Sequence, residues 1–224
     1  MTIRHHVSDE LLLAYAAGTL EEGWRLAVAT HLALCPDCRK RLSVMEDAGG
    51  QLLEDITPEL AMSTSFEHLR QRILHEGAPV RPAPAGVRPT ASDHVASPVL
   101  PEPLRSYVGG DVETLKWRSL GRGAYHIPVK TADGTTMVRL LRIPAGKPVP
   151  EHGHGGRELT LVLSGSFYDG EELFARGDLE EADANVQHQP LATPGEDCIC
   201  LAVTDAPLKF KSWLVRLVQP VLGI

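Results

Sequence analysis

The sequence predicts a two-domain chain of the α + all-β class, with a small helical domain at residues 1–76, a Pro-rich linker at 77–105 and an all-β domain at 106–224. Three observations carry that expectation. Up to residue 76, apolar side chains recur at helical spacing between helix-start and helix-stop residues. The segment GAPVRPAPAGVRPTASDHVASPVLPEPLR then holds seven prolines and few large apolar residues, so it cannot bury enough surface to fold and its prolines keep it extended. Beyond it the chain changes to short alternating or apolar runs punctuated by Gly and Pro, the pattern of a sandwich or barrel.

About four helices follow in order. Ser8 suits an N-cap, Asp9 and Glu10 suit the positive end of the dipole, and Leu11, Leu12 and Tyr15 form an apolar stripe that Gly18 is placed to end. A second helix is expected from about Leu20 through His31 to Leu34, stopping at a CPDC turn, and a third from Cys38 to Leu53. The TPEL stretch opens a fourth, with Thr57 as cap and Pro58 at the first helical position, ending near Glu76. In the second domain, TMVRLLRI, ELTLVLSG, CICLAVT and LKFKSWLVRLV read as strands.

Composition excludes several classes. With 43% hydrophobic and 23% charged residues the chain is globular rather than disordered. No apolar run reaches the roughly 18 residues that span a bilayer. The start MTIRHHVSDE lacks the apolar core and cleavage site of a signal peptide, so a cytoplasmic protein with no membrane partner is expected. Its four cysteines then read as metal ligands or redox thiols rather than structural disulfides. The net charge of −7 argues against direct nucleic-acid binding. The helical domain holds 7 Lys and Arg against 12 Asp and Glu, which suits a basic partner and equally a solvated acidic surface.

Two constellations carry chemistry. His31 and Cys35 stand four apart on a helix and share a face. Pro36 turns the chain so that Cys38 can swing back beside Cys35. Three such ligands suit tetrahedral Zn²⁺, and a fourth would come from His5 or His6 just before the first helix. A thioredoxin-like dithiol shares the Cys-x₂-Cys spacing but needs a βαβ context that this domain lacks. In the β domain, His152 and His154 lie two apart, so a strand points both the same way, and Glu158 can fold back after Gly155–Gly156 toward the same ion.

His6, the SDELLLAYAAGTL helix and HLALCPDC resemble the zinc-binding anti-sigma domain. The resemblance implies a structural zinc held by His6, His31, Cys35 and Cys38. It also implies that the helical domain wraps a group IV (extracytoplasmic-function, ECF) sigma factor and covers its RNA-polymerase-binding surfaces. Gly146, His152, His154, Glu158 and Gly165 match the first cupin motif, G-x₅-H-x-H-x₃-E-x₆-G, at every position. Gly177 and His188 have the spacing of the second, although Asp183 stands where proline is typical, Asn185 where glycine is and Ala192 where asparagine is. The resemblance thus implies a cupin barrel whose metal set is His152, His154, Glu158 and His188. Such ligands suit Zn, Mn, Fe or Ni without choosing among them.

A zinc anti-sigma domain, a Pro-rich linker and a cupin together resemble the ChrR-type anti-sigma factors across essentially the whole chain. That resemblance implies a non-enzymatic regulator that sequesters its sigma factor, one to one, until singlet oxygen or a related oxidant appears, with the cupin as sensor. The competing readings are a metal-dependent cupin dioxygenase or isomerase with an accessory helical domain, and a metal-storage protein. Cys198 and Cys200 alternate along one strand and are candidate redox thiols or small core fillers. Trp117, Phe210 and Trp213 are expected in the core, His68, His75, His94 and His126 on the surface or linker, and Glu171, Glu172, Glu180 and Glu181 in solvated turns.

Overall fold

A computed structural model describes residues 2–57, 65–75, 97–121, 123–207 and 209–210. The chain falls into two compact units, Met1–Gly49 with Pro98–Ile224, and Gly50–Ser97. A helical N-terminal part is followed by an all-β part, as the sequence predicts. No helix among the described residues is long and apolar enough to cross a membrane.

Five helices are described. The first, α1 (Asp9–Ala16), is capped by Ser8, whose hydroxyl accepts from the Leu11 amide at 3.4 Å, and it buries Leu11 and Leu12. The second, α2 (Glu22–Leu34), buries Trp24, Leu26, Ala27, Val28, His31 and Leu32. The third, α3 (Pro36–Glu54), starts two residues before the expected Cys38. Pro36 takes the first helical position, where its missing N–H costs nothing. Cys35 alone breaks the chain between the two helices, with φ −104° and ψ 104°. Its sulfur accepts from the Cys38 amide at 3.4 Å, as an N-cap side chain would. The CPDC segment is therefore a helix start rather than a turn.

The fourth helix, α4 (Phe66–His75), follows Ser65, whose hydroxyl accepts from the His68 amide. Residues 58–64, which include the expected first turn at Pro58, lie outside the described residues. The last, α5 (Glu102–Val108), falls where the linker was expected to end. Leu100 and Leu104 are fully buried there, so residues 98–108 belong to the folded unit. The linker residues 77–96 lie outside the described residues.

Among the described residues the β part has twelve strands, namely β1 (Arg118–Gly121), β2 (Ala124–Val129), β3 (Met137–Ile143), β4 (His152–Gly153), β5 (Glu158–Ser164), β6 (Ser166–Asp169), β7 (Glu172–Ala175), β8 (Leu179–Ala182), β9 (Gln187–His188), β10 (Leu191–Ala192), β11 (Cys198–Thr204) and β12 (Lys209–Phe210). They form a six-stranded antiparallel sheet, β1-β2-β3-β11-β5-β8, and two three-stranded sheets, β10-β6-β7 and β12-β4-β9. One cavity is lined from all three sheets, which makes the whole a barrel. Three of the predicted strands become β3, β5 and β11. The fourth, LKFKSWLVRLV, contributes β12, and its remainder, with Trp213, lies outside the described residues. Trp117 is half-buried against the core, its indole N–H donating to the Val112 carbonyl.

The helices explain why β5 and β11 are buried along almost their whole length. Alternate residues of β3, β5 and β11 face the cavity, while Val138, Leu140, Leu159, Leu161, Leu201 and Val203 share a core with Leu11, Leu12, Trp24 and Val28 of α1 and α2. A sheet covered on both faces reads as a continuous apolar run. Each leucine so buried stabilises the fold by about 1.5–3 kcal/mol. Contact is close: a Cβ on Gly23 of α2 would stand 2.0 Å from Thr136 Oγ1.

Candidate metal centres

The first centre gathers His6, His31, Cys35 and Cys38, whose donor atoms all lie within 4.8 Å of one another. His31 comes from the last turns of α2, Cys35 from the break and Cys38 from the start of α3, so the local helix geometry sets three of the four. His31 Nε2 is 3.2 Å from Cys38 Sγ, and His6 Nδ1 is 3.3 Å from Cys35 Sγ and 3.5 Å from Cys38 Sγ. Tetrahedral bonds of about 2.0 Å to nitrogen and 2.3 Å to sulfur place such ligand atoms about 3.5 Å apart. His31, Cys35 and Cys38 are at most 1% exposed, which leaves no open position for a substrate. His5 turns the other way and stacks on Phe174, its ring centroid 4.1 Å distant.

The electrostatics suit a cation. Burial pushes the His31 imidazole down to about 4, so it is neutral, as a ligand must be. Burial and the neighbouring Cys35 sulfur push the Cys38 thiol up to about 11. A divalent ion would reverse that preference and hold the thiolates. Arg41 supports the cluster from outside by donating to the Val7 carbonyl at 3.0 Å and to Cys38 Sγ at 3.6 Å. These residues fit zinc.

The second centre lies in the barrel. His152 on β4, His154 just after it and His188 on β9 form a buried triad. His188 Nε2 stands 3.1 Å from His154 Nε2 and 3.2 Å from His152 Nε2. Two of the rings have their far nitrogens occupied. His152 Nδ1 donates to the Pro150 carbonyl at 2.8 Å, and His188 Nδ1 lies 2.9 Å from Asp169 Oδ2 and 3.5 Å from Glu180 Oε1. Such partners fix the tautomer and leave the Nε2 lone pairs pointing inward, toward a shared ion. Glu158 is not among the three converging nitrogens. Its Oε2 lies 3.4 Å from His154 Nδ1 and its Oε1 accepts from Thr160 at 2.9 Å.

Charge is concentrated at this centre. Burial alone would lower the His188 imidazole, but Glu180 and Asp169 hold it up at about 9. Burial lowers His152 and raises Glu180. Burial opposes ionisation of Glu158 too, yet its contacts with His154 outweigh that and keep its carboxyl below the usual range. A divalent cation would displace the His188 proton and meet two buried carboxylates nearby.

Beside the triad is a cavity of about 110 Å³, walled by Leu141, Ile143 and Phe167 and reached by His152, Glu158 and Glu180. Cys198 and Cys200 also line it, their sulfurs 3.4 Å apart and both buried. The hydrogen bond shared with Cys198, together with burial, raises the Cys200 thiol well above its usual range. Cys200 therefore rests as a thiol, the less reactive form.

Two acids were not found from sequence. Glu180, expected in a solvated turn, is 9% exposed and faces His188 from β8. Asp169 reaches the same ring from the end of β6. Neither sits in a local pattern that marks it. His126, expected at the surface, is instead buried on β2, 3.0 Å from Arg139 Nη1. His68, His75, Glu171, Glu172 and Glu181 are exposed, and His94 lies outside the described residues. At the departures from the second cupin motif, Asp183 forms an Asx turn, its carboxylate accepting from the Asn185 amide at 2.8 Å.

Residues 106–207 match a family model described as the ChrR cupin-like domain. The chain is 48% identical over 224 residues to the anti-sigma-E factor ChrR of Cereibacter sphaeroides, with 100% of each covered. Among solved structures it is similar to the crystal structure of Rhodobacter sphaeroides SigE in complex with the anti-sigma ChrR, at 44% identity and a TM-score of 0.75, over 91% of this chain and 99% of that one.

Proposed function

The chain belongs to the ChrR family of anti-sigma factors, and we propose that it sequesters a group IV sigma factor in a one-to-one complex in the cytoplasm and releases it on oxidative signal. One observation carries the reading. Of α3 and α4 together, only Cys38 is buried. Val44, Leu52 and Leu53 of α3 are 68%, 71% and 69% exposed, and Phe66, Ile73 and Leu74 of α4 are 78%, 73% and 66% exposed. Unburied apolar stripes on two consecutive helices are what a partner protein would cover. The relative solved with SigE supplies the chemistry of that partner.

In this reading the parts divide the work. A structural zinc at His6, His31, Cys35 and Cys38 fixes the corner between α2 and α3. Zinc or another divalent transition metal sits at His152, His154 and His188, with Glu158 beside them. The barrel is the sensory part for singlet oxygen or a related oxidant, and Cys198 and Cys200 share the cavity in which an oxidant would act. The experiment is co-expression with the cognate sigma factor, followed by mass and metal analysis of the purified complex. A one-to-one complex with two metals is expected, and Leu53→Asp should abolish it. Absence of any complex would overturn the reading. Glu158→Ala and His188→Ala should still bind the sigma factor but fail to release it after photosensitised oxidation.

A further inference from the structure

His6 is the ligand that local geometry does not explain. His31, Cys35 and Cys38 lie within eight consecutive positions, whereas His6 lies on a segment outside any helix. The barrel holds that segment. Asp178, 2% exposed in the turn before β8, accepts from the Arg4 amide at 2.6 Å, the His5 amide at 2.9 Å and the Ala175 amide at 2.9 Å. The Leu179 amide donates to the His5 carbonyl at 3.1 Å. Further along β8, Glu181 accepts from the Ser8 amide at 2.9 Å. Gly177 lets the segment come this near: a Cβ there would stand 2.6 Å from Ile3 Cδ1. Four backbone groups on either side of His6, the Arg4, His5 and Ser8 amides and the His5 carbonyl, thus end on the barrel, while the His6 side chain turns to the sulfurs.

The geometry points to Asp178 as a positioning residue of the zinc site: by gripping the amides of Arg4 and His5, the barrel presents His6 and thereby sets how fast zinc leaves. This rests on the reading of the tetrad as a zinc site. A buried carboxylate accepting backbone N–H bonds makes strong, charge-assisted contacts, and freeing the segment returns its conformational entropy. His6 would then dissociate first and open the tetrad to chelators. The same strand carries Glu180 against His188, so β8 touches both centres.

The test uses the full-length protein. Zinc content is measured first, with metal bound to the tetrad assigned by its loss in Cys38→Ala. If the wild type holds no zinc there, the reading of the site fails and the inference with it. With zinc present, its release to a chromogenic chelator is timed for the wild type, Asp178→Asn, His6→Ala and the double variant. Loss of a residue that orients a metal ligand typically weakens metal binding about 10–100-fold, so release from Asp178→Asn should be about tenfold faster. Once His6 is gone, Asp178→Asn should add little. In cobalt-substituted protein, Asp178→Asn should move the d–d bands toward those of His6→Ala while the thiolate charge-transfer band persists. Equal acceleration in the His6→Ala background, or wild-type release from Asp178→Asn, would overturn the inference. Should Asp178→Asn misfold, the surface variant Glu181→Gln serves the same cycle. A smaller acceleration that vanishes with His6→Ala is then expected, and none, or one that survives His6→Ala, overturns the inference.

Discussion

The tetrad and the barrel triad differ in what stands behind their ligands. In the tetrad, two sulfurs and two imidazoles face one another inside a helical corner, with at most 1% exposure at three of the four. In the triad, three imidazoles converge beside a cavity of about 110 Å³, and the buried Glu180 and half-buried Asp169 stand behind them. A closed tetrahedral set with no free position suits a structural ion, whereas an open set suits exchange with something that enters. Under the proposed function, that difference would divide the work: one centre would hold a shape and the other could change state.

The largest effect expected of that difference is on folding. Cys38→Ala should remove the tetrad metal, and α3 would lose its fixed start. Structural zinc in small domains contributes on the order of 10 kcal/mol, so sigma-factor binding should vanish while the barrel retains its metal. Metal analysis and thermal unfolding check this. If binding persists with one metal per chain, the tetrad is not the scaffold and the contrast fails.

Next in size is His188→Ala. It removes the ligand common to both short Nε2 contacts of the triad, so the barrel should lose its metal while the tetrad and the sigma complex remain. Asp169→Asn should do less. It keeps the shape of the side chain but weakens the bond that fixes the His188 tautomer, and about 10–100-fold loss of metal affinity is expected. Competition with a graded chelator measures it. An unchanged affinity would show that Glu180 alone orients the ring.

The same contrast decides how much could be read from sequence. Three members of the tetrad lie close together in the chain, so helical spacing and one proline mark His31, Cys35 and Cys38 as candidate ligands, and a histidine pair well upstream offers the fourth. His152, His154 and His188 are marked by motif spacing as well. What supports them is not marked: Asp169 and Glu180 reach His188 only because β6 and β8 bring them there, and within LEEA the buried glutamate looks no different from the exposed one. The packing of α1 and α2 on the barrel was also invisible, although the almost wholly apolar runs of β5 and β11 hinted at cover on both faces. Asp178 is a lone acid in a turn, and only its three amide partners give it meaning.

The smallest expected effect comes from the buried histidine that belongs to neither centre. His126 packs beside Arg139, and burial, then the nearby guanidinium groups of Arg139 and Arg118, lower its imidazole. Its folded value lies below its unfolded one near 6.5, so the unfolded chain takes up the proton more readily. Stability from this residue is present above that pH and is lost as pH falls through it. Ligand histidines in a metal-loaded protein cannot titrate until the metal leaves, so His126 should account for the first acid softening. His126→Gln should therefore flatten the melting temperature between about pH 7 and 5.5, by about 2–4 °C if the contribution is about 1 kcal/mol. Metal content should stay constant over the same range. If instead the melting temperature falls together with metal release, and His126→Gln changes nothing, the acid-labile point lies in a centre, and the closed tetrad and open triad must be compared again by which loses its ion first.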